Sequence, residues 1–405
     1  MKVTVLGGCG TVGEVAARTV ASTGHFDEVV VADYRYDLAC ELAKAIDRQG
    51  VRAADFDASD PESIKEVIEG SQVVVNCVGP FYRHGPTVLK AVIEAGIDYV
   101  DVCDDLDATE QMLLLDKGAS QAGVSALIGM GNSPGLANVL VSFSAESMLT
   151  ELESVDIFHI HGGEPDEGPA VIKHRIHAMT TDIPLFIDGE FINVRMLEET
   201  GMEHVEEVEF KGVGRYPVYP YPHPETITIP RYFPGIKRVT NKGFVLPPEY
   251  FKMIMDAVRL GICTDEKILV GDQKVAALDF AISFILSRRP ALLEAAGLTE
   301  PMGCLRIQIG GKKDGEDHRY IFSMYSTQAG AGEGTGIPAA LGAMLIAEGK
   351  IDRKGVFPPE AAIRPTELLE LASRVIKGAG MGAKLPMDIE HVLPDGTVEM
   401  VDFKI

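Results

Sequence analysis

Long apolar runs are missing from this sequence. No stretch reaches the roughly 18 uninterrupted apolar residues that a membrane-spanning helix needs. A secretory signal peptide starts with a basic segment and continues with an apolar one. Here Met1 and Lys2 lead directly into the short apolar run from Val3 to Leu6. We therefore expect a cytoplasmic protein with no membrane partner.

Positive charge is scarce. The chain carries 37 Lys and Arg residues against 60 Asp and Glu residues, which gives a net charge of −23. A surface of this sign repels phosphate backbones and anionic lipids. The balance argues against nucleic acid as a partner and favours a small-molecule substrate. An anionic substrate would need a local basic cluster, and the sequence offers one at Arg231, Lys237, Arg238 and Lys242.

Metal-binding and redox spacings are also absent. The six cysteines, at positions 9, 40, 77, 103, 263 and 304, form no C-x-x-C pair, the usual sign of a zinc or dithiol site. His159 and His161 form an H-x-H pair, but a zinc site needs at least a third protein ligand. No third ligand stands at a telling spacing, so we predict no metal site.

A glycine-rich turn is the most informative motif that is present. Val3 to Leu6 has the composition of a buried strand, and Gly8, Gly10 and Gly13 follow it in a G-x-G-x-x-G pattern. The first glycine permits a sharp turn, the second lets a pyrophosphate approach the backbone, and the third lets the following helix pack on the sheet. Since a strand precedes the glycines and an amphipathic helix follows them, the motif predicts dinucleotide binding.

The neighbouring residues complete that prediction. Thr11 and Val12 open the helix, whose first N–H groups and dipole favour the negative charge of phosphates. A second apolar strand ends at Asp33, where a carboxylate accepts hydrogen bonds from the adenosine ribose. Asp33 favours NAD, because it repels a 2′-phosphate. Tyr34 and Arg35 follow directly, and Arg35 offers a partner for that phosphate, so NADP remains the alternative.

The first 128 residues alternate between six short apolar strands and amphipathic helices. This alternation is typical of a doubly wound parallel sheet, which binds its ligand beyond the carboxyl ends of the strands. Residues in the loops at those ends are therefore our candidates. For the cofactor they are Asp57, Asn76, Val78, Gly79 and Pro80, and for the substrate they are Phe81, Asp104, Ser133 and Pro134.

The pattern changes after about residue 150. Residues 154–161 alternate between apolar and polar side chains, as an antiparallel strand does. Helices are predicted at residues 248–260 and 275–286, whereas the Pro- and Tyr-rich stretch 216–232 favours a loop or an edge strand. This half of the chain is predicted to be α+β, with a mainly antiparallel sheet.

Several segments, in the same order along the chain, resemble the saccharopine dehydrogenase family, particularly its shorter lysine 6-dehydrogenase-like and carboxynorspermidine synthase-like members. The matching segments are Gly8–Gly13, Asn76–Phe81, Tyr99–Asp101, Ser133–Leu136, Gly310–Gly315, Gly334–Ala340 and Lys354–Glu360. The resemblance implies NAD(P)-linked oxidation or reduction at an amino-acid C–N bond. It also implies a Rossmann domain at residues 1–135 and 335–363, an inserted substrate and dimerisation domain at 136–334, and a C-terminal helix and hairpin at 364–405.

The substrate half departs from the family. His174, Arg175 and His177, and the segment His223–Thr226 with Glu225 in it, stand where the family places substrate-facing residues. These residue types are not those expected for saccharopine itself. The reaction class therefore carries over from the resemblance better than the substrate does, although Glu225 remains a candidate substrate contact.

Hydride transfer at a C–N bond requires a group that donates or accepts a proton at the nitrogen and a cation that binds the substrate carboxylate. Asp101, His174 and His177 are candidates for the proton, because a histidine with an ordinary pKa near 6.5 suits this work. Arg175 is the candidate for the carboxylate, which a guanidinium grips with two parallel hydrogen bonds.

We therefore predict an NAD(P)-dependent oxidoreductase that acts on an amino acid or amino-acid conjugate and forms a homodimer. Two alternatives remain open at the level of the sequence. One is a cofactor-binding sensor or scaffold without turnover, and the other is a reductase of another substrate class, such as an enoyl reductase.

Overall fold

The computed structural model describes residues 1–164, 167–326, 331–378 and 387–402. Within these ranges, no helix is both long enough and apolar enough to span a bilayer. The strands are β1 (Lys2–Leu6), β2 (Glu28–Asp33), β3 (Val51–Asp55), β4 (Val73–Asn76), β5 (Asp98–Asp101), β6 (Ser125–Leu127), β7 (Glu151–Gly162), β8 (Ile183–Ile187), β9 (Glu190–Val194), β10 (Glu206–Phe210), β11 (Gly214–Pro220), β12 (Arg238–Leu246), β13 (Lys267–Val270), β14 (Gln273–Ala276), β15 (Met302–Lys313), β16 (Glu316–Ser326), β17 (Gly355–Phe357), β18 (Met387–Val392) and β19 (Val398–Met400).

The helices are α1 (Thr11–Ser22), α2 (Tyr36–Ile46), α3 (Pro61–Ile68), α4 (Phe81–Glu94), α5 (Leu106–Leu113), α6 (Asp116–Ala122), α7 (Leu136–Ser147), α8 (Pro169–Thr180), α9 (Glu199–Met202), α10 (Glu225–Tyr232), α11 (Pro248–Arg259), α12 (Ala277–Ala295), α13 (Ala331–Ala347) and α14 (Pro365–Gly378). A short 3₁₀ helix spans Pro359–Ala361.

The first sheet has seven parallel strands in the order β17-β6-β5-β4-β1-β2-β3. The strand order reverses between β1 and β4, and a crevice opens there at the carboxyl ends of the strands. The predicted doubly wound parallel sheet is therefore confirmed. Its seventh strand, β17, comes from residues 355–357, far along the chain, and pairs with β6.

The second sheet is mixed and mainly antiparallel. Eight of its strands follow the order β10-β11-β12-β7-β15-β16-β18-β19, and β8 and β9 branch from β12. The pairing of β12 with β7 is parallel, which the sequence pattern did not indicate. The hairpin formed by β18 and β19 extends this sheet through β16, while residues 379–386 and 403–405 of the C-terminal segment lie outside the described residues.

One face of β7 explains how the second sheet meets the first domain. Alternate residues of a strand share a face, so Val155, Ile157, His159 and His161 point the same way. The first two pack in the core against α7, together with residues such as Leu140. The two histidines continue this face beyond the apolar contact and line the crevice between the sheets.

Helix α13 joins the late part of the chain to the nucleotide-binding end of the first sheet. A Cβ atom at Gly332 would lie 2.9 Å from the Thr11 carbonyl oxygen, and one at Gly336 would lie 2.6 Å from that of Val12. The two glycines therefore allow α13 to lie directly against the start of α1. This backbone contact fixes the end of α1 that faces the crevice.

Three local predictions were wrong. Helix α4 begins at Phe81 rather than at Pro86, which lies inside its second turn, where only one backbone hydrogen bond is lost to the proline. Residues 225–232, expected as loop or edge strand, form α10, because burial of successive residues from Glu225 to Ile229 outweighs local propensity. Helix α12 runs to residue 295, and the hairpin β13–β14 before it was not predicted.

Candidate nucleotide and substrate site

The turn between β1 and α1 excludes side chains at two of its glycines. A Cβ atom at Gly13 would lie 2.1 Å from the Gly7 carbonyl oxygen, and one at Gly8 would lie 2.7 Å from the Val31 side chain. A Cβ at Gly10 meets nothing closer than 3.4 Å within the protein. The protein itself therefore does not require glycine at position 10, and the bare backbone there suits a close ligand.

The start of α1 presents backbone donors that no bond within the helix uses. The first hydrogen bond of the helix runs from the Glu14 N–H to the Gly10 carbonyl at 2.9 Å. The N–H groups of Thr11, Val12 and Gly13 precede this bond and lie at the positive end of the helix dipole. This arrangement fits the pyrophosphate of a dinucleotide.

Asp33 lies at the carboxyl end of β2, beside the glycine-rich turn. Its Oδ2 accepts a hydrogen bond from the Cys9 N–H at 3.0 Å, and its Oδ1 accepts from the backbone and Nε of Arg35 at 3.0 and 3.1 Å. The guanidinium of Arg35 also lies 5.4 Å from the ring centre of the exposed Tyr34. Asp33 thus stabilises the turn. The residue predicted to contact the ribose is also paired with a partly exposed cation, Arg35.

Asn76 shapes the loop after β4. Its buried amide donates to the Tyr99 hydroxyl at 2.9 Å, and its carbonyl oxygen accepts from the Val78 N–H at 3.0 Å. These bonds hold Val78, Gly79 and Pro80 at the crevice, and no protein atom lies within 4 Å of a Cβ built at Gly79. The loop therefore leaves room beside it for a ligand.

Asp57 is exposed after β3. Its carboxylate accepts hydrogen bonds from the Ser59 N–H at 2.8 Å and from the Ser59 hydroxyl at 2.7 Å. The bond from the Ser59 hydroxyl, and after it the bond from the Ser59 N–H, lowers the pKa of Asp57. The residue shapes a turn, and its predicted contact with the cofactor stays a prediction.

Asp101, one of the three candidates for the proton, is fully buried. Its Oδ1 accepts from the N–H groups of Cys103 at 3.0 Å and Gly129 at 2.7 Å. Burial raises the pKa of Asp101 to about 6, and these two backbone bonds work against that rise. The carboxylate therefore ties the loop after β5 to the loop after β6.

His174, on α8, reaches across the crevice to the loop after β5. Its Nδ1 lies 2.8 Å from the Asp105 carboxylate, and its Nε2 lies 3.7 Å from that of Asp104. Burial alone would lower the pKa of His174, but the two carboxylates outweigh it and raise the pKa to about 9. The ring is therefore an imidazolium near neutral pH, which the sequence spacing did not reveal.

The same three residues have ligand-type atoms within 4.8 Å of one another, the geometry of a small metal cluster. A metal ion would have to displace the proton that Asp104 and Asp105 stabilise on His174. Protonation of His174 and binding of a metal ion are therefore competing events at this cluster.

His177, one turn further along α8, contacts a different carboxylate from the one that His174 contacts. Its Nε2 lies 3.2 Å from the Asp107 carboxylate, and its ring stacks on that of Tyr82 with the centres 4.5 Å apart. Both contacts join α8 to the first domain. The structure thus separates His174 from His177, although both were predicted as candidates for the same task.

Ser133 and Glu225 meet in the floor of the crevice. The Ser133 hydroxyl donates to the buried Glu225 carboxylate, whose other oxygen lies 3.2 Å from Nδ1 of His223. The Asn241 amide also lies 3.5 Å from the Ser133 hydroxyl. Two predicted substrate residues from distant parts of the chain are therefore joined in one polar network.

Two other predicted substrate residues lie elsewhere. Phe81 is packed in the core below the first sheet, with 5 % of its surface exposed, and Pro134 is buried against Gly129. Their positions favour roles in shaping the loops rather than direct contact with a substrate.

Arg175 is not free to bind a carboxylate. Its guanidinium is 3 % exposed, lies 2.5 Å from Glu167 and donates to the Tyr250 hydroxyl at 3.1 Å. Glu167 also pairs with Arg289 at 2.9 Å. The expectation that Arg175 grips the substrate carboxylate is therefore corrected, because a buried ion-pair cluster engages the guanidinium.

The predicted basic cluster is also engaged by acids. Lys237 pairs with Glu153 at 2.7 Å, Arg238 pairs with Asp156 at 2.8 Å, and Lys242 pairs with a glutamate of β10. These ion pairs neutralise three of the four cations in the cluster that the sequence indicated.

The wall of the crevice on the second sheet is rich in histidine and tyrosine. His159 lies 5.1 Å from Tyr221 and 5.3 Å from His223, measured between ring centres. Burial and the neighbouring histidines hold the pKa of His159 well below its usual range, so this ring is neutral. Glu164, next to His161 at 3.6 Å, keeps its charge: burial opposes it, but His161 lowers its pKa to about 2.

Sequence reasoning did not single out Asp105, Tyr221 and Glu164 as site residues, whereas it did name the segment that contains His223. Asp105 had a usable signal, because it follows Asp104 in a loop at the carboxyl end of a predicted strand. Tyr221 and Glu164 come together with the site only through the pairing of β7, β11 and β12.

Comparison with known proteins shows which family models this chain matches. Residues 3–127 match the family model described as the saccharopine dehydrogenase NADP binding domain, and residues 131–377 match that of the saccharopine dehydrogenase C-terminal domain. Two similar proteins are carboxyaminopropylagmatine dehydrogenase of Synechocystis, 23 % identical over 87 % of this chain and 91 % of that protein, and carboxynorspermidine synthase of Vibrio alginolyticus, 24 % identical over 88 % and 87 %.

Saccharopine dehydrogenase (L-Glu forming) of Saccharomyces cerevisiae has a similar fold, with a TM-score of 0.67 over 96 % of this chain and 99 % of that one, at 16 % identity. The two family models together span the parallel sheet and eight of the ten strands of the mixed sheet. The chain therefore belongs to the saccharopine dehydrogenase family of oxidoreductases.

Proposed function

We propose that this chain catalyses NAD(P)-linked hydride transfer at a C–N or C=N bond of an amino-acid conjugate that carries an additional amine. The observation that carries the proposal is the position of the His174 imidazolium. It lies at the carboxyl edge of the same sheet whose first loop fits a dinucleotide pyrophosphate. A proton source and a hydride site therefore share one crevice.

The first domain supplies the nucleotide contacts. The bare backbone at Gly10 and the first N–H groups of α1 would hold the pyrophosphate, and Asp33 would accept from the ribose. Arg35 pairs with Asp33 but keeps a side chain that is 39 % exposed, which supports acceptance of a 2′-phosphate as well as a bare ribose. A nicotinamide bound there supplies the hydride donor or acceptor.

His174 would serve the substrate nitrogen. Its Nδ1 is engaged by Asp105, whereas its Nε2 is beyond hydrogen-bond distance of Asp104 at 3.7 Å. The Nε2 proton is therefore the one available to a substrate amine or imine nitrogen. Because Asp105 fixes the ring, proton transfer needs no reorientation of the imidazole.

The charge of the crevice supports an amine-bearing substrate. Asp104, Glu164 and Glu225 bring carboxylates to its walls, while Arg175 and Arg289 are both paired with Glu167. The two similar proteins described above have names that denote carboxylated polyamine-type compounds. A crevice of this sign suits a cationic arm better than a substrate with several carboxylates.

We also propose that the two domains bind different ligands. We assign nucleotide binding to residues 1–135 and 335–363, which include all seven strands of the parallel sheet. We assign substrate binding to residues 136–334. Residues 364–405 contribute α14 and the hairpin that extends the mixed sheet.

The experiment is a matrix of substrates and nucleotides. The full-length protein is assayed with NAD⁺ and NADP⁺ against lysine, saccharopine, carboxynorspermidine and carboxyaminopropylagmatine, with nicotinamide fluorescence as readout. We expect turnover with at least one polyamine-type conjugate and a large loss of kcat in His174→Gln. Nucleotide binding without turnover of any of the four would favour the silent sensor, and absence of nucleotide binding would refute the proposal outright.

A further inference from the structure

The crevice wall on the second sheet contains two buried polar atoms that the protein does not satisfy. They are Nε2 of His159, on β7, and Oδ1 of Asn241, on β12, and neither has a hydrogen-bond partner within the described ranges of the chain. Asn241 is 0 % exposed, and its amide nitrogen lies 3.5 Å from the Ser133 hydroxyl. Because nearly all buried polar groups in folded proteins are hydrogen-bonded, two exceptions at a candidate site require a physical reason.

The two atoms belong to neighbouring side chains. In the parallel pairing of β7 with β12, Ile157 lies opposite Asn241 and His159 lies opposite Gly243. His159 and Asn241 are therefore two residues apart in register on adjacent strands. Burial above all lowers the pKa of His159, and the Asn241 side chain opposes this decrease, as a close neighbour of the ring does. The two unsatisfied atoms are thus part of one local site.

The backbone of β12 leaves space for the His159 ring at this position. A Cβ atom at Gly243 would lie 2.0 Å from the ring, and the three protein atoms nearest to it all belong to His159. Any other residue at position 243 would displace the ring. The glycine therefore serves the placement of the imidazole.

The chemistry of the two atoms selects a hydrogen-bond donor. The Oδ1 atom of Asn241 can only accept a hydrogen bond, and the neutral imidazole of His159 has one ring nitrogen that accepts. An ammonium group carries three N–H donors on one nitrogen, so it can serve both acceptors at once. A carboxylate carries no donor and would leave both atoms unsatisfied.

The charge of the surroundings selects a cation. Glu225 is 0 % exposed and is joined to this site through the Ser133 hydroxyl, which contacts both Glu225 and Asn241. The ion-pair partner of Glu225 is His223 at 3.2 Å, and no lysine or arginine among the described residues pairs with it. Burial raises the pKa of Glu360 to about 7, and the charge of Glu225 adds to that rise. The floor of the crevice thus carries buried negative charge that a bound cation would balance.

We propose that His159 and Asn241 form a subsite for a terminal ammonium group of the substrate. The ammonium donates to Nε2 of His159 and to Oδ1 of Asn241, with Glu225 nearby as its counter-charge. This assignment rests on the proposed function and deepens it, since it names the residues that recognise the additional amine. A water molecule would satisfy the two acceptors but would leave the charge of Glu225 unbalanced.

The position of the subsite restricts the class of substrate. The ring of Tyr221 lies 5.1 Å from that of His159 and 6.1 Å from that of His174, measured between ring centres. One aromatic ring therefore links the ammonium subsite to the proposed proton source. The reacting nitrogen and the terminal amine of the substrate must then be separated by an alkyl spacer, whose methylene groups would pack on Tyr221.

The first test compares carboxynorspermidine with the same compound acetylated on the primary amine farthest from its carboxylate. Calorimetry measures the binding of each to the full-length protein in the presence of NADH and NADPH, which cannot oxidise the ligand. A hydrogen bond to a charged group changes an equilibrium constant by roughly 10- to 100-fold. With two such bonds, we expect wild type to prefer the free amine by at least about 100-fold. A preference below about threefold would overturn the proposal.

Two variants remove the acceptors one at a time. His159→Phe keeps a ring over Gly243, and Asn241→Leu keeps a similar volume, but each should reduce the preference for the free amine at least tenfold. Since the deleted atom is unsatisfied in the free protein, we expect neither variant to melt below wild type. His318→Phe, at a half-buried histidine on β16 of the same sheet, is the control and should keep the wild-type preference. A wild-type preference in either of the first two variants would overturn the proposal.

The imidazole of His159 gives a second readout on the wild-type protein. Accepting a hydrogen bond from an ammonium should shift the ¹⁵N signal of Nε2 when the free amine binds, and the acetylated compound should leave it unchanged. Neither measurement depends on turnover. A missing shift would therefore overturn the subsite while the proposed function stands, whereas a shift without turnover of any compound would refute the proposed function and support the subsite.

Discussion

The protonation of His174 can be measured directly. The pKa of this ring is raised from 6.5 to about 9 because Asp104 and Asp105 outweigh the cost of burial. We expect the ¹³C-labelled imidazole signal of His174 to titrate with a midpoint near pH 9. The chain contains 10 histidines, and the signal is assigned by its disappearance in His174→Gln. Asp105→Asn removes the hydrogen-bonded carboxylate and should lower the midpoint by at least one pH unit.

The raised pKa of His174 also contributes to the free energy of unfolding, and the sign of this contribution can be worked out. The folded pKa lies above the unfolded value, so the folded state binds the proton more tightly. The contribution is fully present below pH 6.5, declines as the pH rises towards 9, and is absent above it. A difference of 2.5 units corresponds to about 3 kcal/mol at 1.36 kcal/mol per unit.

The stability of wild type relative to His174→Gln should therefore fall by about 3 kcal/mol between pH 6 and pH 10. Urea unfolding monitored by circular dichroism measures this difference, and the comparison removes effects common to both proteins. A difference that stays constant with pH, or a His174 midpoint at or below 6.5, would refute the reasoning and remove His174 as the proton source.

Three further outcomes are expected. Gly10→Ala should fold normally, since its Cβ meets nothing closer than 3.4 Å, but should lose most of its affinity for NADH and NADPH. Gly118→Ala, in an open helical position, is the control. Normal nucleotide binding by Gly10→Ala would argue against the pyrophosphate assignment. Arg35→Ala should weaken NADPH binding at least tenfold and change NADH binding less than threefold in calorimetry; an equal effect on both would contradict a 2′-phosphate contact. Burial raises the pKa of Glu360 to about 7, so above that pH the folded protein carries a buried charge that costs stability. Glu360→Gln should therefore stabilise the protein by up to about 3 kcal/mol at pH 8 and have little effect at pH 4.5, with thermal unfolding as the measure and equal effects at both pH values as the contrary result.

The first domain was predictable from sequence because its signals are local. A buried strand, a turn that needs glycine and an amphipathic helix are each encoded within a dozen residues, as in Val3 to Ser22. The positions of Asp33 and of the loop after β4 were predictable from the same alternation of strands and helices. The seventh strand, β17, was not found, because three residues carry no period and gain their order only by pairing with β6.

The second domain was predictable only in class. The family resemblance placed His174, Arg175 and Glu225 near a site, but their roles depended on partners far away in sequence. Arg175 became part of a buried ion-pair cluster with Glu167, whereas Glu225 bonded to Ser133 across the two domains. Electrostatic partners of this kind are set by packing, and no local pattern encodes them.

By itself the sequence determined that the first domain would contain a parallel sheet and that its first turn would suit a dinucleotide. The turn needs glycine at positions 8 and 13, and the glycine at position 10 leaves its backbone open to a ligand. Tertiary structure alone decided which side chains meet across the crevice. The ordinary imidazole of His174 became a lasting cation because folding placed two carboxylates beside it and removed most of the water that would have screened them.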